Sequence, residues 1–298
     1  MNLFYGIIYQ PIINKLIRNI NYVVSPILPS KIKIHPSGIL KTKLEDIGTI
    51  SFKTNQTSFL TRELFWKGAI NFEYTSIFIK LIEKVGVFFD IGANIGYYSI
   101  VGASCNPELR VVAFEPSEGP MVYASENVKL NHLEKNITIE PVALANTNGK
   151  IDFYNLRNKK FPSIYNLSGE HNTGAKKDRD AKKVSVNATR LDNYVTQHKI
   201  STIDLIKIDT EGSEHLILKG AEQVLQKYRP IVICETLFNE IETELESIFK
   251  IHDYHFYNHT HKGLLKVKSI ERKQDDGIRN CFFVPQEKLN LIQEFIIE

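Results

Sequence analysis

The feature that most constrains the fold is an apolar run that ends in an acid and then breaks into glycines, at residues 85–96 (VGVFFDIGANIG). Residues 97–105 then continue as a helix-like stretch. A strand, a glycine turn and a helix in this order hold a nucleotide-like cofactor at the carboxyl end of a parallel strand. Glycine lets the backbone approach such a ligand, and the helix start offers it free N–H groups. The pattern therefore predicts a cofactor-binding turn.

Apolar strands alternate with helical stretches through the middle of the chain. The main strand candidates are residues 87–90, 110–114, 137–139, 204–209 and 231–235. This alternation predicts an α/β fold with a mostly parallel, doubly wound, Rossmann-like sheet. A hairpin within residues 253–268 predicts an antiparallel edge strand. We also predict one helix at residues 213–228 and a last helix at 287–296.

The first 70 residues have a different pattern. Prolines break residues 1–30 into helical pieces, and residues 31–54 alternate as short strands. Residues 66–73, which contain the single tryptophan, are predicted to form a loop. We therefore predict a small helical and β extension at residues 1–70, followed by a cofactor-binding domain at residues 71–298.

Composition limits the partners and the compartment. A net charge of +3 is too small to indicate nucleic acid. The three cysteines form no C-x-x-C, which favours a reducing, cytoplasmic compartment. No apolar run reaches the roughly 18 residues that span a bilayer. Residues 1–30 are predicted to pack on the domain; the alternative is a peripheral membrane anchor that brings the protein to a lipid-linked substrate. No pattern predicts an oligomeric state.

Charge at the glycine turn discriminates between cofactors. Asp90 precedes Gly92, whereas the dinucleotide fingerprint G-x-G-x-x-G follows an apolar strand. A carboxylate here would repel a pyrophosphate but suits the ammonium, sulfonium and ribose of S-adenosylmethionine. Glu115 ends the next strand, 23 residues after Gly92, where a ribose-hydroxyl acceptor is usual in such folds. We predict that Glu115 contacts the cofactor.

Three further acids lie at strand ends. Asp209 and Glu235 end apolar strands, and Glu211 lies two residues past Asp209. The carboxyl ends of parallel strands share one edge of a sheet, where ligands bind. Clustered carboxylates raise one another's pKa, so one of them can serve as a general base. Such a set could also hold a divalent cation, which we do not expect here.

Two other groups are given non-catalytic interpretations. His252, His255, His259 and His261 do not have a recognised zinc spacing, and we predict a surface hairpin. Residues 155–183 are rich in lysine and arginine and long for a loop. A solvated face is favoured there over binding of an anionic group such as a nucleotide or lipid-carrier phosphate.

Five segments together resemble the FkbM-type methyltransferases. They are residues 89–99 (FDIGANIGYYS), 113–116 (AFEP), 127–131 (NVKLN), 205–220 (LIKIDTEGSEHLILKG) and 233–235 (ICE). The resemblance covers about residues 72–235. It implies a class I S-adenosylmethionine fold and usually O-methylation in glycan, glycolipid or polyketide pathways.

The resemblance also implies roles for single residues. Those implied on the cofactor side are Asp90, Gly92, Asn94, Gly96 and Glu115. Asp209 and Glu211 match the Asp-x-Glu-Gly signature. The resemblance assigns these two no individual role. From their position at the strand ends, Asp209, Glu211 and Glu235 form the predicted catalytic group: Asp209 is the first choice for general base, and Glu211 or Glu235 orients the acceptor.

The sequence thus leads to the hypothesis of an O-methyltransferase that acts on a hydroxyl, with a sugar in a glycan or glycolipid as the expected acceptor. Two alternatives stay open. One is a nicotinamide or sugar-nucleotide enzyme on a similar sheet. The other is a non-catalytic binding module with the same fold.

Overall fold

The computed structural model describes residues 3–27, 33–44, 47–156, 164–168 and 181–297. Its α-helices are Leu3–Ile8 (α1), Pro11–Val24 (α2), Phe59–Lys67 (α3), Thr75–Ile82 (α4), Tyr97–Cys105 (α5), Glu118–Leu130 (α6), Leu191–Gln197 (α7), Glu214–Lys219 (α8), Glu222–Tyr228 (α9) and Glu242–Ile251 (α10). Its strands are Gly38–Leu44 (β1), Gly48–Thr54 (β2), Val87–Ile91 (β3), Arg110–Phe114 (β4), Ile137–Glu140 (β5), Ala143–Leu144 (β6), Gly149–Leu156 (β7), Ala181–Thr189 (β8), Leu205–Ile208 (β9), Ile231–Glu235 (β10), Tyr254–Thr260 (β11), Gly263–Val267 (β12), Asn280–Pro285 (β13) and Ile296–Ile297 (β14).

The central sheet has the strand order β14-β12-β11-β13-β10-β9-β3-β4-β5 in the described part of the chain. Strands β5, β4, β3, β9 and β10 are mutually parallel, and β13 pairs antiparallel with β10. The predicted hairpin forms as β11 and β12, towards the edge of the sheet. These pairings confirm the predicted α/β fold, a mostly parallel doubly wound sheet with antiparallel strands at one side.

Helices cover both faces of the sheet. Successive strand residues point to opposite faces, so Phe88 and Phe89 of β3 enter different cores. Phe88 packs with apolar residues of α4, α5 and α6, and Phe89 packs with those of α7, α8, α9 and α10. Because both faces are covered, the parallel strands are mainly apolar, and all four residues of β9 are buried, Lys207 among them.

The hairpin of β1 and β2 is attached to α6 by two asparagine side chains. Asn127 accepts a hydrogen bond from the Lys53 N–H (2.6 Å) and donates to the carbonyls of Lys53 and Ile95. Asn131, one helical turn later, accepts from the Ser51 N–H and donates to the Ser51 carbonyl. The two amides therefore satisfy backbone groups of β2 that would otherwise lie at an open strand edge.

Three local predictions were wrong. The helix predicted at 213–228 is two helices, α8 and α9, separated at Gly220, where a Cβ would lie 2.2 Å from the Ala145 carbonyl oxygen. The predicted last helix is instead two 3₁₀ segments, Gln286–Leu291 and Gln293–Phe295. Trp66 belongs to α3 rather than to a loop. At Gly220 a tertiary contact overrides the local pattern, whereas α3 has a local signal, the N-cap Ser58, whose side chain accepts from the Thr61 N–H.

A second, three-stranded sheet has the order β6-β8-β7 and carries the ends of the basic stretch. The rest of that stretch, apart from residues 164–168, lies outside the described residues. The N-terminal hairpin shares the larger core with the main fold through Leu40, Ile50 and Phe52. The boundary near residue 70 stays a prediction.

Replacement of Asn127 by Ala is expected to lower the free energy of unfolding by about 2–4 kcal/mol, because a buried hydrogen-bonding amide is lost and the Lys53 backbone loses its partner. Urea denaturation measures this quantity. Asn193→Ala is the matched control, since this exposed helical side chain has no hydrogen bond within the described ranges. Equal stability losses in the two variants would contradict the assigned role of Asn127.

Candidate functional site

A cavity of about 260 Å³ opens at the carboxyl ends of β3 and β9. From β3 the chain proceeds to β4 and β5 on one side, and β9 and β10 lie on the other. In open α/β sheets such a reversal of strand order leaves the crevice where ligands bind. Predicted site residues that line the cavity are Gly92, Asn94, Glu115, Asp209, Glu211 and Glu235.

The glycine turn lies directly against the turn after β9. Gly92 has φ = 73°, and a Cβ there would lie 1.9 Å from the Asp209 carbonyl oxygen. The N–H groups of Gly92 and Ala93 both donate to the Phe114 carbonyl at the end of β4. Only glycine allows this approach, and it brings the cofactor-side turn and Asp209 together.

Glu115 closes the cofactor side of the cavity. Its carboxylate accepts hydrogen bonds from the N–H groups of Asn94 and Ser117, both at 2.9 Å. Burial raises its pKa from 4.5 to about 7, although both hydrogen bonds favour the ionised form. The Asn94 side-chain oxygen is buried and has no hydrogen-bond partner in the described part of the molecule. This corner therefore offers acceptor groups to a ligand.

Asp90 and Gly96 lie outside the cavity lining. The Asp90 carboxylate is buried and accepts from the N–H (3.1 Å) and hydroxyl (2.6 Å) of Ser99. Gly96 precedes α5 with φ = 84° and packs against Ala124 of α6. The structure thus places these two residues where they shape the turn and the start of α5.

The three predicted catalytic acids are brought together. One carboxylate oxygen each of Asp209, Glu211 and Glu235 lies within 4.8 Å of the other two. The turn that presents Glu211, at φ = 58°, is held by the Glu214 carboxylate, which accepts from the N–H groups of Thr210 and Gly212. The three oxygens are close enough for a divalent cation to bind between them.

Sequence reasoning missed Lys207, which lies within the apolar strand β9. Its buried ammonium donates to the Gly92 carbonyl at 2.9 Å and lies 3.5 Å from Asp90 and 3.4 Å from Asp209. Burial lowers the pKa of Lys207, but the carboxylates around it outweigh burial and the net shift is upward. A lysine in an otherwise apolar strand is a signal that could have revealed this residue, because buried charges are paired.

Glu73 was also missed as a site residue. It lines the cavity with φ = 43° and accepts a hydrogen bond from the Tyr98 hydroxyl at 3.0 Å. The residue as a whole is exposed, but desolvation of its carboxyl group, reinforced by the charge of Asp209, raises its pKa to about 7. No sequence signal marks it, because only the packing of α4 against α5 brings the segment before α4 to the edge of the sheet.

The pKa of Glu235 is raised further than those of Glu73 and Glu115. Burial raises its pKa to about 10, and Asp209 and Glu211 contribute to the rise. Glu235 is therefore protonated at neutral pH and can donate a hydrogen bond. Asp209, in contrast, forms an ion pair with Lys207.

The acidic lining determines which ligands the cavity suits. Among the described residues that line it, the acids are Glu73, Glu115, Asp209, Glu211 and Glu235, and the basic residue is Lys207. A pyrophosphate would meet repulsion here, whereas a cationic ligand with hydroxyl groups would be attracted.

The fold and the cavity together define a Rossmann-like α/β protein whose ligand site lies at the reversal of strand order. Comparison with known proteins identifies the family. The methyltransferase FkbM domain matches residues 90–257, more than half of the 298 residues. The chain therefore belongs to the FkbM methyltransferase family, which confirms the resemblance described above.

Two curated relatives share this segment. The 2-O-methyltransferase NoeI of Sinorhizobium fredii is 28% identical over 158 residues, which cover 51% of this chain and 64% of the relative. The hexuronic acid methyltransferase AglP of Haloferax volcanii is 24% identical over 159 residues, which cover 53% and 59%. The alignments thus span about three fifths of each relative's length.

A crystal structure of methyltransferase FkbM from Methylobacillus flagellatus is similar with a TM-score of 0.43 and 15% sequence identity. The similarity covers 66% of this chain and 43% of that one. No helix in the described residues is long and apolar enough to cross a membrane.

Glu235→Gln is expected to stabilise the protein at alkaline pH. The folded protein holds the Glu235 proton more tightly than the unfolded chain does. The contribution of this pKa difference to stability is fully present below pH 4.5 and is lost as the pH rises through about 10. Glutamine does not ionise, so the free energy of unfolding of this variant should exceed that of the wild type by at least about 1 kcal/mol near pH 8.

Urea denaturation from about pH 5 to pH 9 measures this difference. Glu134→Gln, on an exposed side chain, is the control and should leave the pH dependence unchanged. If the free energies of unfolding of the wild type and of Glu235→Gln changed in parallel with pH, Glu235 would have an ordinary pKa in the folded protein.

Proposed function

We propose that the chain is an S-adenosylmethionine-dependent O-methyltransferase that acts on a sugar hydroxyl. The main support for this proposal is that the glycine turn, Glu115 and the three acids all line the same cavity. The three acids are Asp209, Glu211 and Glu235. The names of the two relatives, a 2-O-methyltransferase and a hexuronic acid methyltransferase, support a hydroxyl of a sugar as the acceptor.

The residues present fit S-adenosylmethionine. The Glu115 carboxylate would accept the ribose hydroxyls, because each of its oxygens has lone pairs beyond those used by the two backbone N–H groups. The unpartnered oxygen of Asn94 offers a further acceptor. Phe114, Leu144 and Phe153 add apolar surface for a base. Asp90 and Gly96 would support this site from outside by fixing the start of α5.

Asp209 is the proposed general base. When bound, S-adenosylmethionine supplies an electrophilic methyl group, and the acceptor oxygen must lie about 3 Å from it. A sugar hydroxyl is a weak nucleophile, so loss of its proton to Asp209 would help the displacement. Protonated Glu235 would donate a hydrogen bond that orients the acceptor, and Glu211 would bind a neighbouring hydroxyl. Lys207 keeps Asp209 in place.

A divalent cation is the alternative use of the same three acids. Their oxygens lie within 4.8 Å of one another, and a bound cation would lower the pKa of the acceptor hydroxyl. The Lys207 ammonium, 3.4 Å from Asp209, already supplies positive charge, which disfavours a second cation beside it. We therefore propose proton transfer to Asp209 without a metal.

The other functions considered from the sequence are less well supported. A nicotinamide or sugar-nucleotide enzyme must bind a pyrophosphate, which the acidic lining disfavours. A non-catalytic module would have no need for five acids around one cavity, since their mutual repulsion costs stability.

Calorimetric titration should show binding of S-adenosylhomocysteine and none of NADH or a UDP-sugar. Glu115→Ala is expected to weaken this binding by at least about tenfold, because the ribose acceptor is removed. Glu118→Ala, three residues later and outside the described lining, should bind like the wild type. A folded wild-type protein that binds NADH or the UDP-sugar instead would overturn the proposed cofactor.

Asp209→Asn is expected to lower turnover by about 100-fold while S-adenosylhomocysteine affinity is kept. The assay follows methyl transfer to free and lipid-linked hexoses and hexuronic acids. Asp152→Asn, on an exposed strand position, is the control. Unchanged turnover in Asp209→Asn would remove Asp209 as the base.

The same assay in the presence of a chelator distinguishes proton transfer to Asp209 from activation of the acceptor by a bound cation. Wild-type activity should persist in the chelator. Activity that is lost there and restored by Mg²⁺ or Mn²⁺ would make Asp209, Glu211 and Glu235 cation ligands instead.

A further inference from the structure

Helix α2 presents its polar side to the protein and its apolar side to solvent. Its buried residues are Asn14, Arg18 and Asn21, which are spaced by four and three positions and so form one face. Surface helices of globular proteins normally have the opposite arrangement, with the apolar stripe inward.

The buried polar face is hydrogen-bonded to the segment that leads into β1. Asn14 donates to the His35 carbonyl and accepts from the Ser37 N–H. Arg18 donates to the carbonyls of Ser37 and Ile39 and to the Asn14 side chain. Rotation of α2 to bury its apolar face would break these bonds and leave buried polar groups unpaired. The outward apolar face is therefore fixed by the fold.

The outward face forms a continuous apolar ridge. Its residues recur every three or four positions, so they lie in one row along the helix and the turn that follows it. They are Ile12 (86% exposed), Leu16 (64%), Ile20 (56%), Val23 (77%) and Ile27 (84%). Phe4 and Ile7 of α1 are exposed as well. A ridge of this length, unlike scattered surface apolar residues, marks an interaction surface.

The charge around the ridge indicates the partner. The sequence contains no acid before Glu45, whereas Lys15, Lys33, Lys41 and Lys43 are basic and exposed. Tyr22 and Trp66 contact each other beside the ridge, and the Lys33 ammonium lies 5.3 Å from the Trp66 ring. Aromatic and basic side chains next to an apolar face are typical of helices that lie in a membrane interface.

We infer that α2 lies in the plane of an anionic membrane surface, with its apolar ridge among the upper acyl chains and the exposed lysines of the N-terminal region at the headgroups. The helix does not cross the bilayer. A protein partner of equal fit would need an acidic rim around an apolar groove, whereas an anionic bilayer presents that combination everywhere.

Helix α3 connects this surface to the cavity. Its first residues, Phe59 and Leu60, line the cavity, and Phe65 and Trp66 near its other end contact Tyr22 of α2. Six or seven helical residues span about 10 Å. A membrane-held α2 would therefore bring the mouth of the cavity close to lipid-linked molecules. The inference does not depend on methyl transfer, because it concerns only where the protein binds.

Vesicle flotation with the full chain tests it. Wild-type protein should float with phosphatidylcholine vesicles that contain about a third phosphatidylglycerol and stay unbound with phosphatidylcholine alone. The combined variant Ile12→Gln, Leu16→Gln, Ile20→Gln should reduce the bound fraction on the order of 100-fold. All three side chains are exposed, so circular dichroism and the thermal midpoint should be unchanged.

Two single variants distinguish an effect of the ridge from a general effect of exposed apolar side chains. Ile12→Gln alone should weaken flotation, whereas Ile251→Gln, at a side chain 79% exposed at the end of α10, should have no effect. Wild-type protein that fails to float, that floats equally with phosphatidylcholine alone, or whose flotation survives the combined variant would overturn the inference. Dimers in sedimentation equilibrium that the combined variant abolishes, without flotation, would assign the ridge to a second copy of the chain.

Discussion

The buried ammonium of Lys207 holds the site together. It lies at the centre of β9, donates to the carbonyl of Gly92 in the turn after β3, and faces the carboxylates of Asp90 and Asp209. Loss of one partner of a buried ion pair typically costs about 3–5 kcal/mol, because the remaining charge is left unpaired. The Lys207 ammonium therefore links the cofactor-side turn to the proposed base, at the point where the strand order of the sheet reverses.

The same arrangement explains how similar acids can act differently. Asp209 forms an ion pair with Lys207. Glu235 lies beside other carboxyl groups, and desolvation together with these neighbours raises its pKa to about 10. Environment, rather than residue type, thus separates a group that can accept a proton from one that can donate a hydrogen bond. The crowding of acids costs stability in the unliganded protein. Bound hydroxyl groups and a cationic ligand would relieve that repulsion. The cavity therefore favours positively charged ligands over anionic ones before any specific contact forms.

Much of this fold could be predicted because its strands are buried on both faces and their ends converge. The apolar runs identified the strands, and the acids that follow them, Asp209 and Glu235, met at one edge as expected. Side-chain direction could not be predicted in the same way: Asp90 lies next to the same turn, but its carboxylate accepts hydrogen bonds from Ser99 and does not line the cavity. Glu73 lines the cavity only because α4 packs on α5. Gly220 divides a stretch with helical periodicity, and the Ala145 carbonyl lies against it. These are tertiary contacts that no local pattern encodes.

The N-terminal helices show how a surface and a site can be held in a fixed relation. The polar side chains of α2 bind the segment before β1, β1 pairs with β2, and β2 is bound by Asn127 and Asn131 of α6. Helix α6 begins three residues after Glu115, the acid that closes the cofactor side of the cavity. Each link uses hydrogen bonds with defined direction, so the outward face of α2 and the cavity cannot reorient independently without breaking one of them. An apolar face held in this way sets not only whether the protein binds a surface but also in which direction its cavity opens.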